Sequence, residues 1–129
     1  MANYHHFQLT VYYEDTDMAG IVYYANYLRF IERARFEIAS ELGLDQNKMY
    51  AQGLIFVVRH MEADFLGPAK LGDQLTVQSS HKKLSPVRWF FEQQIFRDDH
   101  IIFKALVTVV STNLNGHPVA LPTGINDIN

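Results

Sequence analysis

The sequence predicts an α+β fold in which an antiparallel β-sheet packs against one long α-helix. Hydrophobic residues recur with helical spacing in one segment and with the alternating spacing of strands in five others. The last four strand segments follow one another with short connections, which favours antiparallel neighbours. The 129 residues fit one domain, residues 1–129. Their 48% hydrophobic content is enough for a core that needs no metal or disulfide.

The first strand is predicted from Phe7 to Tyr13. Every second residue would share one face of the sheet, namely Phe7, Leu9, Val11 and Tyr13. The segment from Glu14 to Gly20 is polar and ends in glycine, so it should break the strand.

The helix is predicted from about Asn26 onward. Its apolar residues recur at steps of three and four, with charged residues on the opposite side; the apolar set is Leu28, Ile31, Ala34, Ile38 and Leu42. Asn26 is the predicted N-cap, and Gly43 is predicted to follow the C-terminus as the C′ residue.

Four further strands are predicted: Ile55 to Phe65, Gln74 to Leu84, Val87 to Arg97, and His100 to Thr112. Asp98-Asp99 predicts a tight hairpin turn between the last two. Alternation assigns these residues of the last two strands to shared faces: Val87, Trp89, Phe91, Gln93 and Ile95, and Ile101, Phe103, Ala105, Val107 and Val109.

The opposite faces of the last two strands also carry apolar residues: Phe90, Phe96, Leu106 and Val110. One helix can cover only one face of the sheet. The sequence therefore predicts that a partner subunit covers the other face, in a homodimer or in a homotetramer built as a dimer of dimers.

Composition excludes several classes of function. The net charge of −3, without a long basic run, argues against a nucleic-acid partner. No apolar stretch approaches the roughly 18 residues expected of a membrane span, and the N-terminus lacks the pattern of a secretory signal. The absence of cysteine excludes a thiol nucleophile, a cysteine-ligated zinc site and disulfides. A cytoplasmic location is therefore expected.

The segment from Tyr13 to Tyr27 holds the candidate catalytic chemistry. It brings Glu14, Asp15 and Asp17 just ahead of a helix N-terminus, where free N–H groups and the helix dipole can stabilise an oxyanion. A nearby carboxylate can attack a carbonyl or activate a water, so the local chemistry suits hydrolysis by acyl transfer. Two other interpretations remain open: the carboxylates cap the helix, or they bind a cation, although one local cluster rarely completes a coordination shell.

The pattern Asp-Thr-Asp-x-x-Gly-x-Val-Tyr-x-x-Asn-Tyr, here Asp15 to Tyr27, resembles the signature of the 4-hydroxybenzoyl-CoA thioesterase family of hotdog proteins. The segment 30–35, Phe-Ile-Glu-Arg-Ala-Arg, is similar to the Tol–Pal-associated acyl-CoA thioesterase branch. Weaker similarities follow at Phe56-Val57-Val58-Arg59, Gly67-Pro68-Ala69 and Gly72-Asp73, so the resemblance covers nearly the whole chain.

The resemblance implies a hotdog fold, in which the sheet wraps around the central helix and two subunits complete each active site. It implies hydrolysis of a short-chain or aromatic acyl-CoA, with Asp17 as nucleophile or general base. The backbone N–H of Tyr24 would polarise the thioester carbonyl, and Gly20 would let the backbone approach the substrate. Asp15 would hold the loop. No metal or redox cofactor is implied.

Many members of the Tol–Pal-associated branch carry histidine at the position of Tyr24. A backbone donor survives this exchange, whereas an acid–base role of histidine would not. Two alternative functions remain open: a non-enzymatic acyl-CoA-binding or envelope-associated scaffold protein, and a hotdog dehydratase or hydratase, which would have to recruit a histidine such as His60.

Other residues have weaker signals. Lys82, Lys83 and Arg88 flank one predicted turn and are candidates to bind CoA phosphates, with Lys70 on another loop. His60 is expected to be a core histidine, and Trp89 is expected to belong to the core or an interface.

Overall fold

The computed structural model describes residues 3–125, so the predicted domain of residues 1–129 extends beyond it at both ends and stays a prediction. Within residues 3–125 the chain forms five strands and two helices. In chain order these are β1 (His5–Thr10), α1 (Asn26–Glu41), α2 (Gln46–Ala51), β2 (Ile55–Phe65), β3 (Gln74–Lys83), β4 (Arg88–Arg97) and β5 (His100–Thr112), with a short 3₁₀ turn at Tyr13–Asp15.

The five strands form one antiparallel sheet in the order β1-β3-β4-β5-β2. The core lies between one face of this sheet, called the inner face here, and α1. Its most deeply buried side chains include Phe30 and Ile31 of α1 and Trp89, Phe91 and Phe103 of the sheet. The predicted α+β class and antiparallel sheet are confirmed.

Helix α1 buries Ile31, Ala34 and Ile38 of the predicted stripe. It also buries Phe30, which the prediction left out, whereas Leu42 is 36% exposed. It ends as predicted: Gly43 has φ +83°, and the N–H of Leu44 donates to the carbonyl of Ala39 in a Schellman arrangement. The predicted N-cap is wrong, because the cap residue is Ala25, which makes no side-chain capping bond.

Helix α2 was not predicted from the sequence. The side chain of Asp45 caps it by accepting hydrogen bonds from the N–H groups of Asn47 and Lys48, at 3.0 and 3.1 Å. Six residues are too few to develop a recognisable helical period, and only Met49 is buried. The capping aspartate was the signal available in the sequence.

The largest differences from the predicted strands are in β1 and β5, while β3 and β4 are each one residue shorter than predicted. Strand β1 ends at Thr10, because the chain turns into the 3₁₀ turn at Tyr13, which is 83% exposed instead of sharing the face of Val11. In β5 a bulge shifts the register, so that Phe96 pairs with Ile101 and Ile95 with Phe103. Ile101 is therefore not part of the inner set as predicted, and both Ile102 and Phe103 are buried instead.

The outer face of the sheet is less apolar than the pattern indicates. Phe90 and Phe96 lie there half-buried, but Glu92 and Gln94 separate them along β4. Within residues 3–125, no helix has the length and hydrophobicity needed to cross a membrane.

Candidate active site

The candidate site is built on the segment of residues 12–25, called the Asp17 loop here, which joins β1 to α1. Asp15 anchors it. Its side chain is 3% exposed and accepts two hydrogen bonds, from the Tyr12 N–H at 2.8 Å and from Asn26 Nδ2 at 2.7 Å. Its carbonyl accepts a third from the Tyr23 N–H at 3.0 Å. Asp15 therefore ties both ends of the loop to the first residue of α1, which fits the predicted loop-holding role.

Asp17 lies on the exposed side of the same loop. Its backbone pairs with Ile21, and the N–H of Gly20 donates to its carbonyl, so residues 17–20 form a tight turn. One side-chain oxygen, Oδ1, accepts a hydrogen bond from the Ala19 N–H at 2.9 Å. The other, Oδ2, has no hydrogen-bond partner among the described residues.

Gly20 has φ +81°, in the left-handed region that residues other than glycine rarely adopt. A Cβ at this position would meet no atom within 4 Å. The turn geometry alone therefore explains the glycine.

The entry into α1 leaves two backbone donors unused. The N–H groups of Asn26, Tyr27 and Leu28 already donate to the carbonyls three residues earlier. The N–H groups of Tyr24 and Ala25 have no acceptor within the part of the chain that the structure describes. These two donors lie on the same loop as Asp17, just before the helix.

The Asp17 loop rests on the segment 67–70, which follows β2. The Val22 N–H donates to the carbonyl of Ala69 at 2.8 Å, and Ile21 forms a β-bridge with Lys70. From α1, the Tyr27 hydroxyl donates to the carbonyl of Gly67 at 3.3 Å, and burial raises the pKa of this hydroxyl. These contacts hold the loop and the helix start in a fixed relation.

Aromatic side chains form one wall beside the loop. The Tyr24 ring lies 5.0 Å from the Tyr23 ring and 5.8 Å from the ring of Phe65 at the end of β2. Tyr24 and Phe65 are 61% and 47% exposed in a single chain. An apolar group that docks beside the free Tyr24 N–H would therefore find an aromatic surface.

Residues 11–127 match the thioesterase-like superfamily. The chain belongs to this superfamily. Acyl-CoA thioesterase YbgC of Haemophilus influenzae is 40% identical over 118 residues, which cover 90% of this chain and 87% of that protein. The predicted family and the enzyme class, a thioester hydrolase, are thereby confirmed.

Solved structures agree with this assignment to the thioesterase-like superfamily. A probable thioesterase from Bartonella henselae superposes with a TM-score of 0.87 at 38% identity, over 93% of this chain and 100% of the other. A 1,4-dihydroxy-2-naphthoyl-CoA thioesterase from Synechocystis has a TM-score of 0.88 at 25% identity, over 95% of this chain and 92% of the other. The hotdog fold is confirmed.

The predicted basic cluster lies far from Asp17 of the same chain. Lys82, Lys83 and Arg88 come together at the β3–β4 turn, all exposed, with Lys82 Nζ 5.9 Å from the Phe90 ring. The Asp17 loop lies near the other end of β3, and a strand of ten residues is about 30 Å long. Lys70, by contrast, is bridged directly to the Asp17 loop.

The expectation that His60 is a core histidine is wrong. Its side chain is 64% exposed on the edge strand β2, and its Nε2 lies 3.5 Å from a Glu62 oxygen. Trp89 is buried, as expected. Among the described residues, no three histidine, cysteine, aspartate or glutamate side chains are grouped so that they would hold a metal ion.

One polar pair inside the fold was missed by the sequence analysis. Arg35 Nη1 donates to Gln93 Oε1 at 3.0 Å, between α1 and the inner face of β4. The signal was present, because Arg35 follows Ile31 by four residues and so lies on the apolar side of the helix. Gln93 likewise interrupts an apolar set in its strand.

Proposed function

We propose that this protein hydrolyses acyl-CoA thioesters, with a short-chain or aromatic acyl group. Two similarities support an acyl-CoA substrate: the Haemophilus influenzae relative is an acyl-CoA thioesterase, and the Synechocystis neighbour is a 1,4-dihydroxy-2-naphthoyl-CoA thioesterase. In this proposal the protein acts in the cytoplasm, in keeping with its lack of cysteine.

The observation that carries the proposal is the unused N–H of Tyr24 beside the Asp17 turn. Donors that are already oriented stabilise the negative charge that develops on a thioester oxygen during attack. Because Tyr24 contributes its backbone, its side chain need not be histidine. The neighbouring N–H of Ala25 is unused as well and would add a second donor.

Asp17 supplies the attacking chemistry in this proposal. As a general base, it takes a proton from a water that adds to the thioester carbon, and CoA leaves as the thiolate. As a nucleophile, its oxygen adds to the thioester carbon, CoA leaves as the thiolate, and water then cleaves the resulting mixed anhydride. The free Oδ2 supports either course, while the bond from Ala19 to Oδ1 fixes the carboxylate.

The active unit in this proposal is a homodimer or a homotetramer built from dimers. Strand β2 is a free edge of 11 residues, and Val57, Val58 and Phe65 on it are 42%, 45% and 47% exposed. A long apolar edge of this kind invites pairing with a second copy. A monomer that remains active at micromolar concentration in sedimentation experiments would exclude this assembly.

The phosphates of CoA would meet exposed basic side chains at the mouth of the site. Lys82, Lys83 and Arg88 are proposed for this role; given their distance from Asp17 of the same chain, they would serve the site of another copy. Lys70 is the candidate within the same copy, because its backbone bridges to Ile21 of the Asp17 loop.

Asp17→Asn tests the proposed chemistry. The variant keeps the size and the Oδ1 acceptor but removes the charge, so kcat should fall by at least about 100-fold while Tm stays nearly unchanged. Release of CoA thiol is a clean assay, since the protein contains no cysteine. Glu14→Gln, an exposed carboxamide substitution in the same loop, is the matched control. Hydrolysis by Asp17→Asn within a few-fold of wild type would refute the role of Asp17.

A further inference from the structure

A second recess lies between α1 and the inner face of the sheet, away from the Asp17 loop of the same chain. Its volume is about 120 Å³, close to the size of cavities that take up one benzene ring. Its walls combine polar groups of Glu32, Arg35 and Gln46 with apolar and mostly aromatic side chains: Phe36 of α1, Phe56 and Val58 of β2, and Trp89 and Phe91 of β4. This recess is called the Arg35 recess here, because it also contains that guanidinium.

Arg35 is held in the recess by a chain of hydrogen bonds, called the relay here, that runs through the buried side chain of Gln93. Gln93 Nε2 donates to the carbonyl of Ile31 and to Ser79 Oγ, both at 3.0 Å, so its Oε1 must face Arg35. That oxygen accepts one of the five N–H donors of the guanidinium. The guanidinium carbon also lies 6.0 Å from the centre of the Phe91 ring. The relay fixes the orientation of the guanidinium and leaves most of its donors available.

The charge of Arg35 is not neutralised by an ion pair. Among residues 3–125, the carboxylates within salt-bridge distance of a basic side chain are Glu41 and Glu62, and both contact histidines. No carboxylate of these residues pairs with Arg35. Burial lowers the pKa of Arg35, and the charge of Glu32, which also lines the recess, acts in the opposite direction. Glu32 is exposed, so solvent screens it. A partly desolvated guanidinium among aromatic walls favours an anionic oxygen pair, above all a carboxylate.

A two-fold dimer would bring this recess to the catalytic loop of the second copy. Identical edge strands related by a two-fold axis pair antiparallel. Because β2 has a bulge between Val58 and His60, Phe56 and Phe65 both face the inner side. Opposite residues of antiparallel strands share a face, so pairing β2 with its counterpart brings Phe56 of one copy level with Phe65 of the other. Phe65 in turn contacts the Tyr24 ring. Within one copy, about 14 Å of α1 separates Asn26 from Arg35, and Tyr24 lies before that helix.

We propose that the Arg35 recess binds a carboxylate at the far end of the acyl group, so that preferred substrates are CoA half-thioesters of dicarboxylic acids. The acyl group is cleaved at Asp17 of one copy and held by Arg35 of the other. This inference rests on the proposed function and adds the class of acyl group to it.

Matched substrate pairs test the inference. Glutaryl-CoA and pentanoyl-CoA have acyl chains of equal length and differ in the terminal carboxylate, as do adipoyl-CoA and hexanoyl-CoA. The wild type should favour the carboxylated member of at least one pair in kcat/KM. Arg35→Met should reduce that preference by at least about tenfold, which is typical for loss of a hydrogen bond to a charged group. Arg33→Met, an exposed arginine of the same helix, is the control and should leave the preference unchanged.

Two further variants keep the test decisive if Arg35→Met folds poorly. Arg35→Lys retains the charge without the planar fork and should keep part of the preference. Glu32→Gln removes a negative charge from the recess at an exposed position and should raise the preference about twofold. The inference is overturned if Glu32→Gln lowers the preference for the carboxylated substrate. It is also overturned if neither Arg35→Met nor Arg35→Lys changes that preference.

Co-expression of Asp17→Asn with Arg35→Met tests the two-copy geometry. With random pairing, about half of the dimers would be mixed. One of the two sites in each mixed dimer would have both native residues, so about a quarter of all sites would be native. Activity toward the carboxylated substrate should therefore return to about a quarter of the wild-type value, well above either variant alone. No recovery would overturn the inference. A wild type that hydrolyses no acyl-CoA would overturn the proposed function as well, whereas equal use of both members of every pair overturns only the carboxylate subsite.

Discussion

Replacing Asp15 with asparagine should destabilise the protein more than it impairs catalysis. The buried carboxylate accepts hydrogen bonds from the Tyr12 N–H and from Asn26 Nδ2 through different oxygens. Asparagine can accept only one of them, and its amide group must face the other donor. Loss of a hydrogen bond to a charged acceptor costs about 1.5–3 kcal/mol, and the buried donor left unpaired keeps the cost toward the upper end.

We therefore expect Asp15→Asn to lower the free energy of unfolding by about 2–3 kcal/mol and Tm by about 10 °C. Urea denaturation followed by tryptophan fluorescence measures this directly, because Trp89 is the only tryptophan and is buried. Turnover at saturating substrate should fall far less than in Asp17→Asn, because Asp15 is enclosed by the loop and does not reach a substrate. A variant within about 0.5 kcal/mol of wild type would refute the anchoring role, given the cost of such bonds.

Three more predictions follow from the structure. Burial, and then the neighbouring His5, lower the pKa of His81, so the folded state disfavours its protonation. The free energy of unfolding should thus fall as pH drops below about 6.5, because the unfolded chain binds the proton more readily. The urea midpoint of His81→Gln should fall less with pH than that of the wild type, whereas the exposed control His117→Gln should behave like the wild type. Gly20→Ala should cost about 1 kcal/mol in a thermal or urea melt, since alanine disfavours a φ of +81° even where a Cβ meets no atom; an unchanged melt would contradict this turn geometry. The KM for an acyl-CoA should rise with salt, because salt screens the attraction between CoA phosphates and exposed basic side chains, and Lys82→Ala/Lys83→Ala should flatten that rise. An unchanged dependence of KM on salt would mean that other residues bind the phosphates, and Lys70→Ala would then be the next variant to measure.

The elements of this protein could largely be predicted because they depend on local patterns. Strands β2 and β5 have the predicted bounds, since the strand pattern ends at Gly67-Pro68 in one case and at a polar segment after Thr112 in the other. Gly43 ends α1 because its own backbone conformation is the determinant. Helix α2 is too short for its period to stand out, and the bulge that buries Ile102 depends on the partner strand.

The candidate site, too, was predictable where it depends on local sequence and not where it depends on the rest of the fold. Asp17, Gly20 and Tyr24 were identified from one continuous motif, because a turn that leads into a helix is a local structure. The resemblance implied the backbone donor of Tyr24, but the second free donor, at Ala25, follows from how the chain enters α1 without a side-chain cap.

Only the tertiary structure decided which distant residues meet. Sequence distance carries no information about the pairing of Arg35 with Gln93, 58 residues later, or about the separation of Lys82 from the Asp17 loop by the length of β3. Likewise, the sequence suggested a core position for His60, but the strand order makes β2 an edge and exposes that side chain. Periodicity determines which face of an element is apolar, whereas strand order and register determine what that face contacts, because they depend on the free energy of packing the whole chain.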